Sequence, residues 1–366
     1  MKAITASILL LATSTTVVAQ SNYKESSNSF AKYTNTGTFS ELENAKKFID
    51  AAYKTKRDSS SSKNNILRAM VYSSLAYADS TRKLKGDKDH IDVTLNALEL
   101  LREKDRRNYE NELTYVNQNL IAAYIFKANK EIEKGEFENA YNSFLQVERL
   151  GSKSDDVVRN LAYLSAQAGK TKEAIGYYKT LINNAGQVDA ITYIALAKLY
   201  KQDDNNQEYV NTLQIARQKY PSDKTILFLL IEAYASNKAY QAITPLIAEA
   251  IKHEPENQDL YYLGGFANEN VGNIAEAKNY YKKLLEIDEY NYDANLALGL
   301  IFLNEFLQEN SNLEAQYSAQ DYLLKANGIQ PYAVNALRGL ALFYETTDDQ
   351  EQLDRVNTLL NQLSNN

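Results

Sequence analysis

Residues 258–291 read QDLYYLGGFANENVGNIAEAKNYYKKLLEIDEYN, and the placing of their small and apolar side chains decides the fold. Leu260, Tyr261, Leu263, Gly264 and Val271 keep a spacing near 3.6, the mark of a helix with one apolar face. Gly272-Asn273 ends that helix, because glycine takes up the left-handed cap conformation without strain. Ile274 through Ile287 forms a second helix, with Ala277, Tyr280, Tyr281, Leu284 and Leu285 at i, i+3, i+4, i+7 and i+8. So short a turn makes the helices antiparallel neighbours. Small residues at Gly264, Gly265 and Ala277 let the backbones approach, while Tyr281 and Leu284 reach toward a further pair. One pair alone leaves an apolar face uncovered, so pairs must stack.

The same register extends in both directions. Small residues recur at Ala128, Ala162, Ala197, Gly265 and Gly299, in steps of 34, 35, 68 and 34. Phe144, Tyr178, Leu213, Ile247 and Tyr281 form a bulky column at 34 or 35. Gly135, Gly169, Asp204, Lys238 and Gly272 form a turn column with the same steps. Gly186, Pro221, Pro255, Glu289 and, after an insertion around Gln308 to Ala315, Pro331 end the units.

This pattern resembles the tetratricopeptide repeat (TPR), through Tyr193, Leu196, Ala197, Tyr200, Leu213, Ala216 and Pro221 in one unit and Gly265, Gly272, Ala277 and Tyr281 in another. The resemblance covers residues 121–331 as about six units, beginning near 121, 155, 190, 224, 258 and 292. It implies an all-α fold, a right-handed superhelical solenoid of antiparallel helix pairs. Residues 332–366 are expected as a divergent last pair, with Gly339 at the small position and Leu353, Val356, Leu360 and Leu363 as the stripe of a capping helix. Residues 39–120 read as divergent helical repeats, with helices over Phe39 to Tyr53, Ile66 to Leu84 and Ile91 to Leu101. They either continue the array or form a subdomain of their own. Pro245 falls inside an expected helix and should kink it unless it sits in the first turn.

Lys2, the apolar run Ile4 to Ala12 and Val17-Val18-Ala19 have the layout of a secretory signal peptide, residues 1–19. The apolar run is shorter than the ~20 residues that span a bilayer, and no later stretch reaches that length without charges, so no transmembrane segment is expected in the mature chain. The chain has no cysteine, which excludes a lipoprotein anchor, disulfides and thiolate chemistry. The chain also resembles the secreted TPR proteins of gram-negative bacteria, which implies a periplasmic or secreted location. Residues 20–38, rich in Ser, Asn and Thr, read as a flexible leader.

A formal net charge of −7 argues against a nucleic-acid partner, despite Arg82 to Lys85 and the basic residues between Arg102 and Arg107. The only histidines, His90 and His253, stand in no metal-binding spacing, and no phosphate loop or calcium loop occurs. Asp203-Asp204-Asn205-Asn206 falls on a repeat turn and lacks calcium-ligand spacing. We therefore expect no enzyme, no cofactor and no metal. The resemblance implies instead a protein or peptide partner, held in the concave groove that the first helix of each pair lines. On this register the groove residues are Arg159, Tyr163, Ile194, Lys198, Phe228, Glu232, Tyr262, Phe266, Leu296 and Leu300. The tyrosine pairs Tyr177-Tyr178, Tyr261-Tyr262 and Tyr280-Tyr281 keep open an alternative, an envelope glycan as ligand.

Overall fold

The computed structural model describes residues 21–81, 88–184 and 188–364, and all regular structure among them is helical. Residues 1–20, the basic cluster Arg82 to Lys85 and Gly186 lie outside the described residues, and the expected signal segment with them. Two units are resolved, Met1–Val188 and Asp189–Asn366.

The first unit begins with α1 (residues 21–36), α2 (Phe39–Ala52), the single turn α3 (Lys56–Ser59), α4 (Ser62–Ala78), α5 (His90–Glu99) and the short α6 (Glu103–Arg106). It continues with α7 (Glu110–Glu133), α8 (Phe137–Arg149), α9 (Asp155–Gln167) and α10 (Thr171–Asn184). The second unit is a run of pairs: α11 (Ala190–Gln202) with α12 (Asn206–Lys219), α13 (Lys224–Ser236) with α14 (Tyr240–His253), and α15 (Gln258–Asn270) with α16 (Ile274–Ile287). After them come α17 (Tyr292–Gln308) with α18 (Leu313–Ile329) and α19 (Val334–Thr346) with α20 (Gln350–Ser364).

The turn column is built into the backbone. Gly135, Gly169, Asp204, Lys238, Gly272 and Asp348 all have positive φ, between 55° and 84°. At each, the next residue's N–H reaches back to a carbonyl five residues earlier, as from Asn205 to Tyr200 at 2.9 Å, Ala239 to Tyr234 at 2.8 Å and Asn273 to Asn268 at 2.8 Å. This is the Schellman closure, and it satisfies carbonyls that the helix end would orphan. The other ends are capped by a column not read from the sequence. The side chains of Ser154, Asp189, Asp223, Asn257 and Asn291 accept from backbone N–H groups in the first turn of α9, α11, α13, α15 and α17.

Packing follows the small and bulky columns. Ala128, Ala162 and Ala197 are fully buried, and so are Leu213, Ile247 and Tyr281. The member missing from the small column is Ile231, which is itself buried. A methyl built on Gly265 would meet the Tyr281 ring at 2.5 Å, and one on Gly299 or Gly339 would meet Leu323 at 2.8 Å. The insertion is not a loop: α17 and α18 have 17 residues each against 13 and 14 in α15 and α16, so each helix gains about a turn. On α20 Val356 is buried and Leu353, Leu360 and Leu363 pack against the same core.

Two expectations need correction, and the condition set on Pro245 is decided. Residues 20–38 are not a flexible leader over their described part. Residues 21–36 are helical, with Phe30 5% and Ser26 0% exposed; Tyr23 and Tyr33 pack on the core of α2 and α4, and the Ser26 hydroxyl donates to the Ala45 carbonyl at 2.8 Å. The helix opening the unit placed near 121 starts at Glu110, because Val116 and Asn119 also have burial partners, Asn119 donating to the hydroxyls of Ser73 and Ser74 on α4. Pro245 lies past the first turn of α14. Its ring removes the donor that Gln241 would have faced, and the Thr244 hydroxyl donates to the Gln241 carbonyl instead, at 3.3 Å.

Candidate functional site

The first helix of each pair buries one face and leaves another open. On α15 the buried face holds Leu260, Gly264, Gly265, Ala267 and Asn268, while Tyr262 and Phe266, one turn apart, project beside it. Each pair Arg159/Tyr163, Ile194/Lys198, Phe228/Glu232, Tyr262/Phe266 and Leu296/Leu300 repeats this i, i+4 placement, and none of the ten is buried.

They differ in what they touch. Tyr262 and Phe266 stack with ring centres 6.1 Å apart and planes 15° apart. Tyr240, the first residue of α14, stands edge-on to Phe266 at 5.4 Å, and Tyr281 lies 5.9 Å from Tyr262. Tyr262 stays 36% exposed. Burial, and then the carboxylates of Asp293 and Glu269, push its hydroxyl above its usual value. The result is an aromatic ledge of three rings with two carboxylates beside it. Leu300, 41% exposed, prolongs the apolar face on α17, whereas Leu296 is half-spent on the core. Phe228 also packs on core, with Lys224 5.5 Å above its ring. Glu232 is tied to Lys201 at 2.7 Å. Ile194 is half-buried and Lys198 exposed. Arg159 and Tyr163 belong to the first unit, where Tyr163, 45% exposed, meets the edge of Phe137 at 6.5 Å.

Tyr240 and Phe137 are residues the groove rule passes over, because they open second helices rather than lining first ones. Each nevertheless sits 26 residues before its partner ring, Phe137 to Tyr163 and Tyr240 to Phe266, with planes near perpendicular at 90° and 87°. The signal was therefore in the repeat register: an aromatic opening a second helix, matched by an aromatic in the following first helix.

Among the described residues no three metal-ligating side chains converge and no helix is long and apolar enough to cross a membrane. No family profile and no curated protein matches the chain. Solved structures do resemble it. One of MamA aligns over 48% of this chain and 97% of its own, at 20% identity and TM-score 0.36. A second MamA structure covers 47% and 93%, at 22% identity and TM-score 0.39. YrrB, described as a TPR protein with an unusual peptide-binding site, covers 53% and 96%, at 18% identity and TM-score 0.40.

Proposed function

We propose that this protein is a non-catalytic scaffold of the bacterial cell envelope that binds a protein or peptide segment on the open faces of its first helices. The observation that carries this reading is the ledge of Tyr240, Tyr262 and Phe266. Three rings grouped at a surface, with Tyr262 left exposed although the core beneath it is already filled, are the composition of a recognition hot spot. Glu269 and Asp293 beside the ledge favour a segment that offers an apolar or aromatic side chain flanked by Lys or Arg. Export rests on the reading of residues 1–19 alone.

The test is a peptide-display selection against the full chain, counter-selected with the Tyr262→Ser variant, followed by crosslinking in intact envelopes. Enriched sequences should carry an aromatic residue next to a basic one. Each should lose at least about tenfold in affinity on Tyr262→Ser, the loss expected from a hot-spot aromatic. Binders that ignore Tyr262→Ser, with the variant folded, would place recognition elsewhere.

A second reading, glycan capture, draws on a cavity of about 610 Å³ within the second unit, whose wall includes Tyr290, Tyr322, Glu289, Lys325 and Asn295. Aromatic rings among hydrogen-bonding groups suit a sugar. A glycan array without hits removes that reading and leaves the first untouched.

A further inference from the structure

A second constellation lies in the first unit, far in sequence from the ledge. Asp50 on α2 receives Arg68 Nη1 at 2.5 Å and Lys46 Nζ at 2.9 Å. The Tyr72 hydroxyl stands 2.8 and 2.9 Å from its two oxygens. The Arg68 guanidinium is clasped between the rings of Tyr53 and Tyr72, 4.5 and 4.7 Å from their centres. These contacts fix Arg68, whose side chain is only 15% exposed, in one geometry. It forms part of the wall of a cavity of about 260 Å³, together with Lys46, Asp50, Tyr72, Lys88 and His90.

Among the described residues the charges of that wall do not balance: Lys46, Arg68 and Lys88 face a single carboxylate, Asp50, which neutralises one of them. The next acid along the chain, Asp89, is engaged as the cap of α5, accepting from the Ile91 N–H at 2.8 Å. Lys88 takes no part in the α2–α4 bridge, and among the described residues no carboxylate pairs with it. A bridge that served only to join α2 to α4 has no use for it. In a chain of net charge −7, a cavity that gathers surplus positive charge departs from the rest of the surface. Lys46 and Arg68 are partly buried and share the one carboxylate, so a bound anion recovers part of what their burial costs, while Lys88, which lines the same cavity, is exposed.

We propose that this cavity binds a compact oxyanion, a phosphate or carboxylate group, which completes the charge balance of Arg68, Lys46 and Lys88. Arg68 supplies the planar donor fork suited to either group. Asp50 and the two tyrosine rings act as positioning residues that hold the fork still. The cavity is smaller than the ~300–1,000 Å³ of pockets for drug-sized ligands, so it accommodates the charged group with a small substituent.

The experiment is thermal unfolding of the full chain at neutral pH, titrated with inorganic phosphate or with acetate. Ionic strength is held constant with sodium chloride. Phosphate, acetate or both should raise Tm saturably, as a ligand of the native state does. The apparent affinity should fall about tenfold in Lys88→Ala, the loss of one charge-assisted contact, and return in Lys88→Arg. Lys63→Ala, which removes an exposed cation outside the cavity, should bind as the wild type does. A response to phosphate alone assigns a phosphate group, and a response that includes acetate assigns a carboxylate. No saturable rise over chloride with either anion overturns the site. So does a rise undiminished in Lys88→Ala.

Discussion

A single methyl group at Gly265 tests the geometry of the helix pairs. Built on its backbone, that carbon would lie 2.5, 2.6 and 2.7 Å from three ring carbons of Tyr281, where carbon atoms settle at about 3.5–4.0 Å. The ring has little room to yield. Tyr281 is 0% exposed, its hydroxyl donates to Glu269 Oε2 at 3.0 Å, and the Tyr262 ring stands 5.9 Å away. Gly265→Ala therefore forces the ring or the helix to move by about 1 Å, an overpacking of about 1–3 kcal/mol. Removing a mid-helix glycine returns about 0.5–1 kcal/mol, so the net loss centres on about 1 kcal/mol. Gly176 in α10 supplies the control, for a methyl there meets nothing within 4 Å. Gly176→Ala should stabilise by about 0.5–1 kcal/mol, the helix gain without the clash. Urea unfolding followed by far-UV circular dichroism reads both, and the two variants should move in opposite directions. If Gly265→Ala is as stable as the wild type, α15 does not approach Tyr281 this closely and the register of the small column is wrong.

Two further substitutions test the turn column and the Asp50 bridge. Lys238 holds φ at 55° where three of the other turns use glycine in the left-handed region, and Lys238→Gly should gain about 0.5–1 kcal/mol in the same unfolding assay; a loss would mean that its backbone is not left-handed there. Burial opposes ionisation of Asp50, but hydrogen bonds from Lys46 and Tyr72 and the charges of Arg68 and Lys46 outweigh it and hold the carboxyl below its usual value. A carboxyl depressed on folding contributes stability that is present above its unfolded value of about 3.9 and lost as pH falls through the folded value. Asp50→Asn should thus flatten the fall of Tm below about pH 4, and coincident acid limbs in the two proteins would show that the bridge does not form.

What could be read from the sequence was whatever recurs. Gly135, Gly169, Asp204, Lys238 and Gly272 share a backbone conformation that few residues tolerate, so their spacing survives while their neighbours vary. Gly299 and Gly339 persist as small residues because Leu323 occupies the space above both. The open face of α15 was legible for the same reason, since the buried positions fix which residues remain. Contacts that recur nowhere left no such trace. In residues 21–36 only Tyr23, Phe30 and Tyr33 are bulky enough to suggest a core face, and the polar run around them reads as disorder. What holds that helix is a hydroxyl bond from Ser26 to the α2 backbone and the edge of Phe30 on Tyr115, and both partners lie far along the chain. The Asp50 constellation escaped for a related reason. Lys46 and Asp50, Arg68 and Tyr72, and Lys88 and His90 come from three separate stretches, each with the spacing of an ordinary solvated helix or loop. A repeat register specifies how each pair meets the next, but a site assembled once, in the divergent helices, becomes visible only when the chain is folded. The turn and small columns therefore locate the ledge on α15, while they carry no information about the cavity beside Arg68. The two sites fall in different units and answer to different substitutions, so Tyr262→Ser and Lys88→Ala should each weaken one form of binding by about tenfold and leave the other intact.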